Sequence, residues 1–438
     1  MKRCLPVSSL ALCTSFFLIS CKKNDNLARK AFNDKSILNG YFGEQSYSPG
    51  ANARLYISSD TAYEASTLNV YDVNGALAFK IPFKKIHHQV PQGETPYESG
   101  FAYTDPLSFK VPEVKSGVYL IANKIPIIIK AMDEKVDFTV VYPLNTENAY
   151  CQSGGRSLYT TPVAKKVSFL RPISYTSYGD GFLKWVNKQQ YSYNVIADSD
   201  LDDFSNLKGK ILIIIGHSEY WSRKGRRNFD RFVNGGRDAL ILSGNTMWWQ
   251  VRYSDDRHQL ICYKGKDEPP IVDSLRTIEW GKAVLRYTIT QSIGCDFDRG
   301  GYGVGVKNDG WAGFKIVNPR SPLLAGLDMK KGDIISCPST EYDGAPLKGL
   351  DPDGTPQINN NDLKFHKVEL IGYDFGARNN IKTVPTAIIF RKTASSGLVI
   401  DFPTTDWCTV ASFGKPPIVA ITKNAINGLL ARQNLFAD

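Results

Sequence analysis

The sequence predicts two kinds of sheet in one chain: an immunoglobulin-like β-sandwich over residues 41–135, then an open parallel α/β domain over 136–438. Three observations predict it. Asn74-Gly75 stands between two alternating runs, 68–73 and 76–83, a strong short-range hairpin signal. The runs 210–215 and 238–242 are continuously aliphatic, as strands buried on both faces require. Between them lies a helical pattern with Phe229, Phe232 and Val233 inward, opened by Ser222 as N-cap and stopped by Gly235-Gly236.

Taken in order, Lys2 and Arg3 precede an apolar run, 5–19, that is too short to span a bilayer and reads as a secretory signal. Its end, Leu18-Ile19-Ser20-Cys21, resembles a bacterial lipobox, which implies that Cys21 becomes a lipid-bearing N-terminus on the bacterial cell envelope, at the outer membrane or cell surface. Residues 22–40 show no apolar periodicity and read as a flexible tether. Short strands follow at 53–58, 68–73, 76–83, 108–111, 117–121 and 125–129. His87-His88 point to opposite faces of a strand and make a poor metal pair. The α/β part reads as a strand at 166–170, a helix at 181–190 with Phe182, Trp185 and Val186 inward, and strands at 193–196, 210–215 and 238–242. Later strands are expected near 312–317, 368–370, 385–390 and 397–401. A terminal helix is expected over 417–430, with Ile418, Ile421, Ala425 and Leu429 on one face. The Gly-rich stretches 300–310 and 344–361 read as loops.

Composition narrows the function. The 438 residues are 42% hydrophobic, enough for a proper core. No later segment reaches the ~18–20 apolar residues of a spanning helix, so the membrane is a partner only through the anchor. The net charge is +10, six of the basic residues fall in the first thirty, and no dense basic block exists; nucleic acid is not an expected partner. Beyond the signal and Cys21, five cysteines remain: Cys151, Cys262, Cys295, Cys337 and Cys408. None forms a CxxC, which excludes a zinc ribbon or thioredoxin motif, while an oxidising compartment permits one or two disulfides.

In an open parallel sheet, ligands bind beyond the carboxyl ends of the strands. Gly216-His217-Ser218-Glu219-Tyr220-Trp221 follows one aliphatic run and Ser243-Gly244-Asn245 follows the other, so His217, Glu219 and Asn245 converge on one rim. A His capping a helix, with a Glu favouring the dipole ahead of Ser222, is the rival reading. No Ser or Cys occupies a nucleophile elbow, and no GxGxxG or phosphate loop follows a strand. A metal-bound water, or binding alone, is what remains. The linking segment adds Tyr150 and Tyr159 on either side of Gly154-Gly155, where the backbone can approach a neighbour closely.

Asn145-Thr146, Ala149-Tyr150, Gly154-Gly155, Ser157-Leu158-Tyr159, His217-x-Glu219-Tyr220-Trp221-Ser222 and Gly235-Gly236-Arg237 through Ser243-Gly244-Asn245 and Trp249 together resemble the large (beta) subunit of N,N-dimethylformamidase, in its C-terminal domain family. The likeness covers most of residues 45–430. It departs at Cys151, where the family commonly has Asn. The resemblance implies a glutamine-amidotransferase-like (flavodoxin-like) core and a mononuclear ferric iron. Its ligands would be Tyr150, Tyr159 and Glu219, with Tyr119 the next candidate tyrosine. It further implies that His217 acts as proton donor, Asn245 as amide anchor, and Glu341, in Thr340-Glu341-Tyr342-Asp343, as base. The function so implied is metal-dependent hydrolysis of amide C–N bonds. The alternative is a non-catalytic lipoprotein that holds a glycan or peptide on Trp221, Trp248 and Trp249. A glycosidase using Glu219 and Glu341 is a third reading.

Overall fold

A computed structural model describes residues 38–176, 178–303 and 310–437; the signal, Cys21 and most of the tether lie outside them. The first strand already opens at Leu38, inside the stretch expected to be tether, because Leu38 and Phe42 bury in the first core.

That core lies between two antiparallel sheets. One contains Leu38–Phe42, Asn52–Ser59 and Leu107–Lys110; the other contains Leu77–Ile86, Tyr63–Asp72, Gly117–Ile121 and Ile125–Ile129. Alternation drives the packing: Leu55, Leu68, Val70, Ile81 and Ile127 turn inward, each worth roughly 1.5–3 kcal/mol of burial. The Asn74-Gly75 turn forms as expected. Gly75 takes φ +83°, and the Asp72 carboxylate accepts from the Asn74 and Ala76 amides. His87 and His88 sit at the surface, half-buried and exposed.

The central sheet has nine strands in the order Tyr193–Ala197, Phe138–Tyr142, Ile211–Gly216, Asp238–Ser243, Leu398–Asp401, Thr386–Arg391, Lys367–Tyr373, Gly313–Ile316 and Ile334–Ser336. The first five are parallel, and numbered along the chain their order is 2-1-3-4-5. The remaining strands are antiparallel, so the expected all-parallel sheet is only half right. The turn between Arg391 and Leu398 is too short for the crossover of a dozen or more residues that a parallel pair needs. The segment near 166–170 departs from expectation too. Lys166–Ser168 pairs antiparallel with Gln259–Ile261 in a separate small sheet that also holds Trp249–Tyr253 and Tyr220–Ser222. Val167 and Leu260 bury together there. The stretch 344–361 carries a hairpin, Leu347–Leu350 with Pro356–Ile358, rather than loop alone.

The helix Arg223–Asn234 is capped as read: the Ser222 hydroxyl accepts from the Gly225 amide at 2.8 Å, and Gly236 ends it at φ +84°. The terminal helix Pro416–Leu430 buries Ile418, Ile421, Ala425 and Leu429. All five remaining cysteines are free thiols, so the disulfides that an oxidising compartment would permit are not formed. Among the described residues no helix is long and apolar enough to cross a membrane.

Candidate functional site

The site forms where the parallel half reverses its order, beyond the carboxyl ends of Phe138–Tyr142, Ile211–Gly216 and Asp238–Ser243. Gly216 leaves its strand at φ +74° and the chain then runs through His217, Ser218 and Glu219. Four neighbours pin this short stretch. The Ser218 amide donates to Ser243 Oγ, the Glu219 amide donates to Thr146 Oγ1, and the carbonyls of Ser218 and Glu219 accept from the Met247 and Trp249 amides. Asn245 and Met247 hold positive φ, of 50° and 59°. Backbone strain of this kind persists where surrounding structure over-determines it.

Gly244 brings the distant carboxylate in. A Cβ there would lie 2.6 Å from the Glu341 carbonyl and 2.5 Å from the Thr405 amide, so only glycine lets the strand Glu341–Gly344 pass this close. Glu341 Oε2 consequently accepts from Asn245 Nδ2 at 3.0 Å and lies 3.1 Å from His217 Nε2. Glu219 Oε2 approaches the same His217 nitrogen at 3.4 Å. His217 and Glu219 are buried, at 7% and 2% exposure.

The tyrosines reach the site by another route. The helix Leu144–Tyr150 starts at Pro143, and the Asp198 carboxylate accepts from its Asn145 amide. Beyond Tyr150 the chain turns through Gly154, at φ +82°, whose absent side chain leaves room for the Tyr97 amide. The fully buried Arg171 ties this turn together by donating to Asn148 Oδ1 and to the carbonyls of Asn148, Ser153, Arg156 and Ser168. Tyr150 and Tyr159 thereby stack, with ring centroids 4.1 Å apart. Tyr159 donates to Glu219 Oε1 at 2.8 Å and accepts from the Tyr220 hydroxyl at 2.8 Å. Tyr150 also packs beside the His217 ring.

All six residues singled out from the sequence, Tyr150, Tyr159, His217, Glu219, Asn245 and Glu341, therefore meet in one place. The reserve candidate, Tyr119, does not: it is buried between the two N-terminal sheets with its hydroxyl donating to the Lys115 carbonyl. Trp221 and Trp248 are buried at 1% and 6% exposure, and Trp221 Nε1 donates to the Ser218 carbonyl. The three tryptophans thus make no open platform, because Trp221 and Trp248 serve the core. Three residues to which the sequence assigned no role join the site. Lys264 stands 3.6 Å over the Tyr159 ring, with φ +53°. Tyr220 supports Tyr159, and Glu147 lines the adjoining cavity. The aromatic–charged segment around Lys264 carries no periodicity to mark it.

Electrostatics divides the groups. Burial and the Glu219 charge push the Tyr150 and Tyr159 phenols far up, so a nearby cation is what would ionise them. Burial raises Glu219, countered by His217. Burial would lower His217, but Glu341, then Glu219 and Asp343, outweigh it and raise the imidazole. Burial would raise Glu341, yet His217 and Asn245 hold it below the usual carboxylate range. Asn245 Nδ2 is engaged by Glu341, while Asn245 Oδ1, Glu219 Oε2 and His217 Nε2 lack a hydrogen-bond partner among the described residues. No set of three or more His, Cys, Asp or Glu side chains converges as a metal site among those residues. Two phenols with one carboxylate are a different, all-oxygen donor set, and a buried carboxylate oxygen left unsatisfied beside them suits a hard cation.

The family described as N,N-dimethylformamidase beta subunit-like, C-terminal, matches residues 86–416, and the chain belongs to it. No curated relative matches the chain.

Proposed function

We propose that this member of the N,N-dimethylformamidase beta subunit-like family is a hydrolase of amide C–N bonds, held to the cell envelope by lipid on Cys21. One observation carries the reading: His217 Nε2 lies between the Glu341 and Glu219 carboxylates, at 3.1 and 3.4 Å, beside the stacked tyrosines. A structural ion pair needs one carboxylate. A second carboxylate and an orphaned oxygen at a strand-end cavity suit a reaction that moves protons.

In this reading Glu341 takes the proton of the attacking water, since it is held ionised by His217 and Asn245. His217 hands a proton to the departing nitrogen, and Asn245 Oδ1 remains free to accept from an amide N–H. Tyr150, Tyr159 and Glu219 would hold a ferric iron. When bound, it supplies Lewis acidity to the carbonyl and lowers the pKa of water. The parallel order 2-1-3-4-5, with the site at its reversal, supports a flavodoxin-like, glutamine-amidotransferase-like core. Seven antiparallel strands in two facing sheets support the immunoglobulin-like assignment of residues 41–135.

Metal analysis with visible absorption on the purified chain tests this. About one iron per chain with a tyrosinate charge-transfer band, lost in Tyr150→Phe and Glu219→Ala, together with amine release from a small amide, is the expected outcome. A colourless protein that takes up no iron on reconstitution and cleaves no amide overturns it.

A further inference from the structure

A cavity of about 260 Å³ opens on the His217–Glu341–Tyr150 side of the site. That is below the ~300–1,000 Å³ of pockets for drug-sized ligands, so its occupant is a small molecule. Among the described residues no Lys or Arg lines it. The hydroxyls in its wall are unequally used. Thr176 Oγ1 donates to Glu147, and Thr405 Oγ1 donates to Asp406. The Tyr178 hydroxyl has no hydrogen-bond partner among the described residues. Tyr178 lines the cavity and is only half-buried, and its hydroxyl is not sealed in as the orphaned oxygens of Glu219 and Asn245 are.

The rest of Tyr178 is held firmly against the reacting groups. A Cβ at Gly216 would stand 3.3 Å from the Tyr178 Cβ, so the strand end that launches His217 packs directly on this residue. The Tyr178 ring meets the His217 ring edge to face, with centroids 5.7 Å apart and planes at 69°. Burial, then the Asp406 and Glu341 charges, raise the phenol above its ordinary value, so it remains a donor at neutral pH. An anionic acceptor beside it would meet the same two carboxylates, with no cation in the lining to offset them. A neutral acceptor meets no such repulsion. An unengaged hydroxyl costs little while water fills the cavity, and becomes a selective contact once a ligand displaces that water.

We propose that Tyr178 is the specificity-determining residue of this cavity, its hydroxyl donating to a neutral ether, hydroxyl or carbonyl oxygen on the substituent of the scissile nitrogen. The placement rests on the amide-hydrolase reading, in which His217 gives its proton to that nitrogen. A substituent there lies beside His217 and along Tyr178. A purely alkyl substituent leaves the hydroxyl desolvated and unpaired. A site that hydrogen-bonds one substrate group rejects the analogue lacking it better than an apolar wall rejects a methylene.

N-methoxyethylacetamide and N-butylacetamide test this, since they differ only in an ether oxygen for a methylene. An apolar wall favours the butyl compound, whose methylene is the easier group to remove from water. A donor favours the methoxyethyl compound, so the sign of the preference reports the hydroxyl. Each compound is titrated calorimetrically into the purified full chain. The expected result is binding of the methoxyethyl compound about three- to tenfold tighter, with the order reversed in Tyr178→Phe, which keeps the ring on His217. Equal affinities or a butyl preference in the wild type, absence of binding by both probes, or a methoxyethyl preference that survives in Tyr178→Phe overturns the subsite. The wild-type comparison stands even if the variant folds poorly. Amine release is followed in the same samples, and where it occurs the same ratio is read in kcat/KM. Tyr178-dependent preference without turnover refutes the hydrolase and keeps the subsite; turnover without preference does the reverse.

Discussion

Glu341→Gln separates a catalytic carboxylate from a structural one. The substitution keeps the shape of the side chain and removes its charge. In the wild type, Glu341 Oε2 is 3.1 Å from His217 Nε2, an attraction of about 5 kcal/mol at an effective dielectric of 20. Glu219 sits on the same nitrogen, and its repulsion of Glu341 takes back part of that attraction. The desolvation of Glu341 opposes the attraction further. The amide can still meet Asn245 after rotation. The net change in stability is therefore expected to stay within about 2 kcal/mol, read from urea unfolding by circular dichroism. Loss of a general base costs on the order of 10²–10⁴ in rate, read as amine release from a small amide. His217 should also titrate lower, because the partner that raised it is gone. A variant that keeps hydrolysing within a few-fold of wild type would refute the role of Glu341 as base. A variant that loses several kcal/mol would mark it as a structural ion-pair partner.

Three further outcomes follow from the same geometry. Tyr159→Phe leaves Glu219 Oε1 and the Tyr220 hydroxyl without their partner; it should cost about 1–3 kcal/mol in denaturant unfolding, and an unchanged midpoint would contradict the hydrogen-bond chain. Gly154→Ala combines a left-handed φ of 82° with a Cβ 2.5 Å from the Tyr97 amide; a loss of about 2 kcal/mol or more is expected, with iron uptake falling because the same turn delivers Tyr159. Glu147 is raised from 4.5 to about 7, so between those values the folded state holds a proton that the unfolded state releases. Its contribution to stability is complete below about pH 4.5 and is lost as pH rises toward 7, by on the order of 3 kcal/mol. Comparing unfolding of wild type and Glu147→Gln across that window should show the variant with the flatter profile; parallel profiles would show that Glu147 does not titrate there.

Much of this arrangement was legible because it is written in short range. Aliphatic runs, a Ser cap and a Gly-Gly stop specify the strands and helix that flank His217 and Glu219, and the strand-end rule then specifies where those side chains emerge. Strand direction is not written that way. Thr386–Arg391 and Leu398–Asp401 are buried on both faces whichever way they run, so their hydrophobic pattern reads the same in a parallel or an antiparallel sheet. The turn length between them held the information. Likewise, aromatic residues at a strand end read as a binding surface until Trp221 and Trp248 are found filling the second core.

The least legible parts are the ones that act across long sequence separations, and they are concentrated at the site. Arg171, Lys264 and Glu147 each owe their role to partners that no periodicity announces. The same region breaks the rule that buried polar groups are satisfied. Glu219 and Asp343 each leave one carboxylate oxygen unpartnered, and the nearby Asp401 leaves both, among the described residues. Burial raises all three, and Lys264 and His217 are too few to balance them. An uncompensated buried carboxylate is costly, and nothing in the packing requires three acids, Glu219, Glu341 and Asp343, around one imidazole. Local consistency fails here while the strands beneath it obey every rule, which is where a fold bears a functional burden. A bound cation or a shared proton would relieve that excess, so wild type should gain more stability on iron loading than Glu219→Gln does. A thermal-melt comparison with equal gains in both proteins would refute the assignment of Glu219 to the cation.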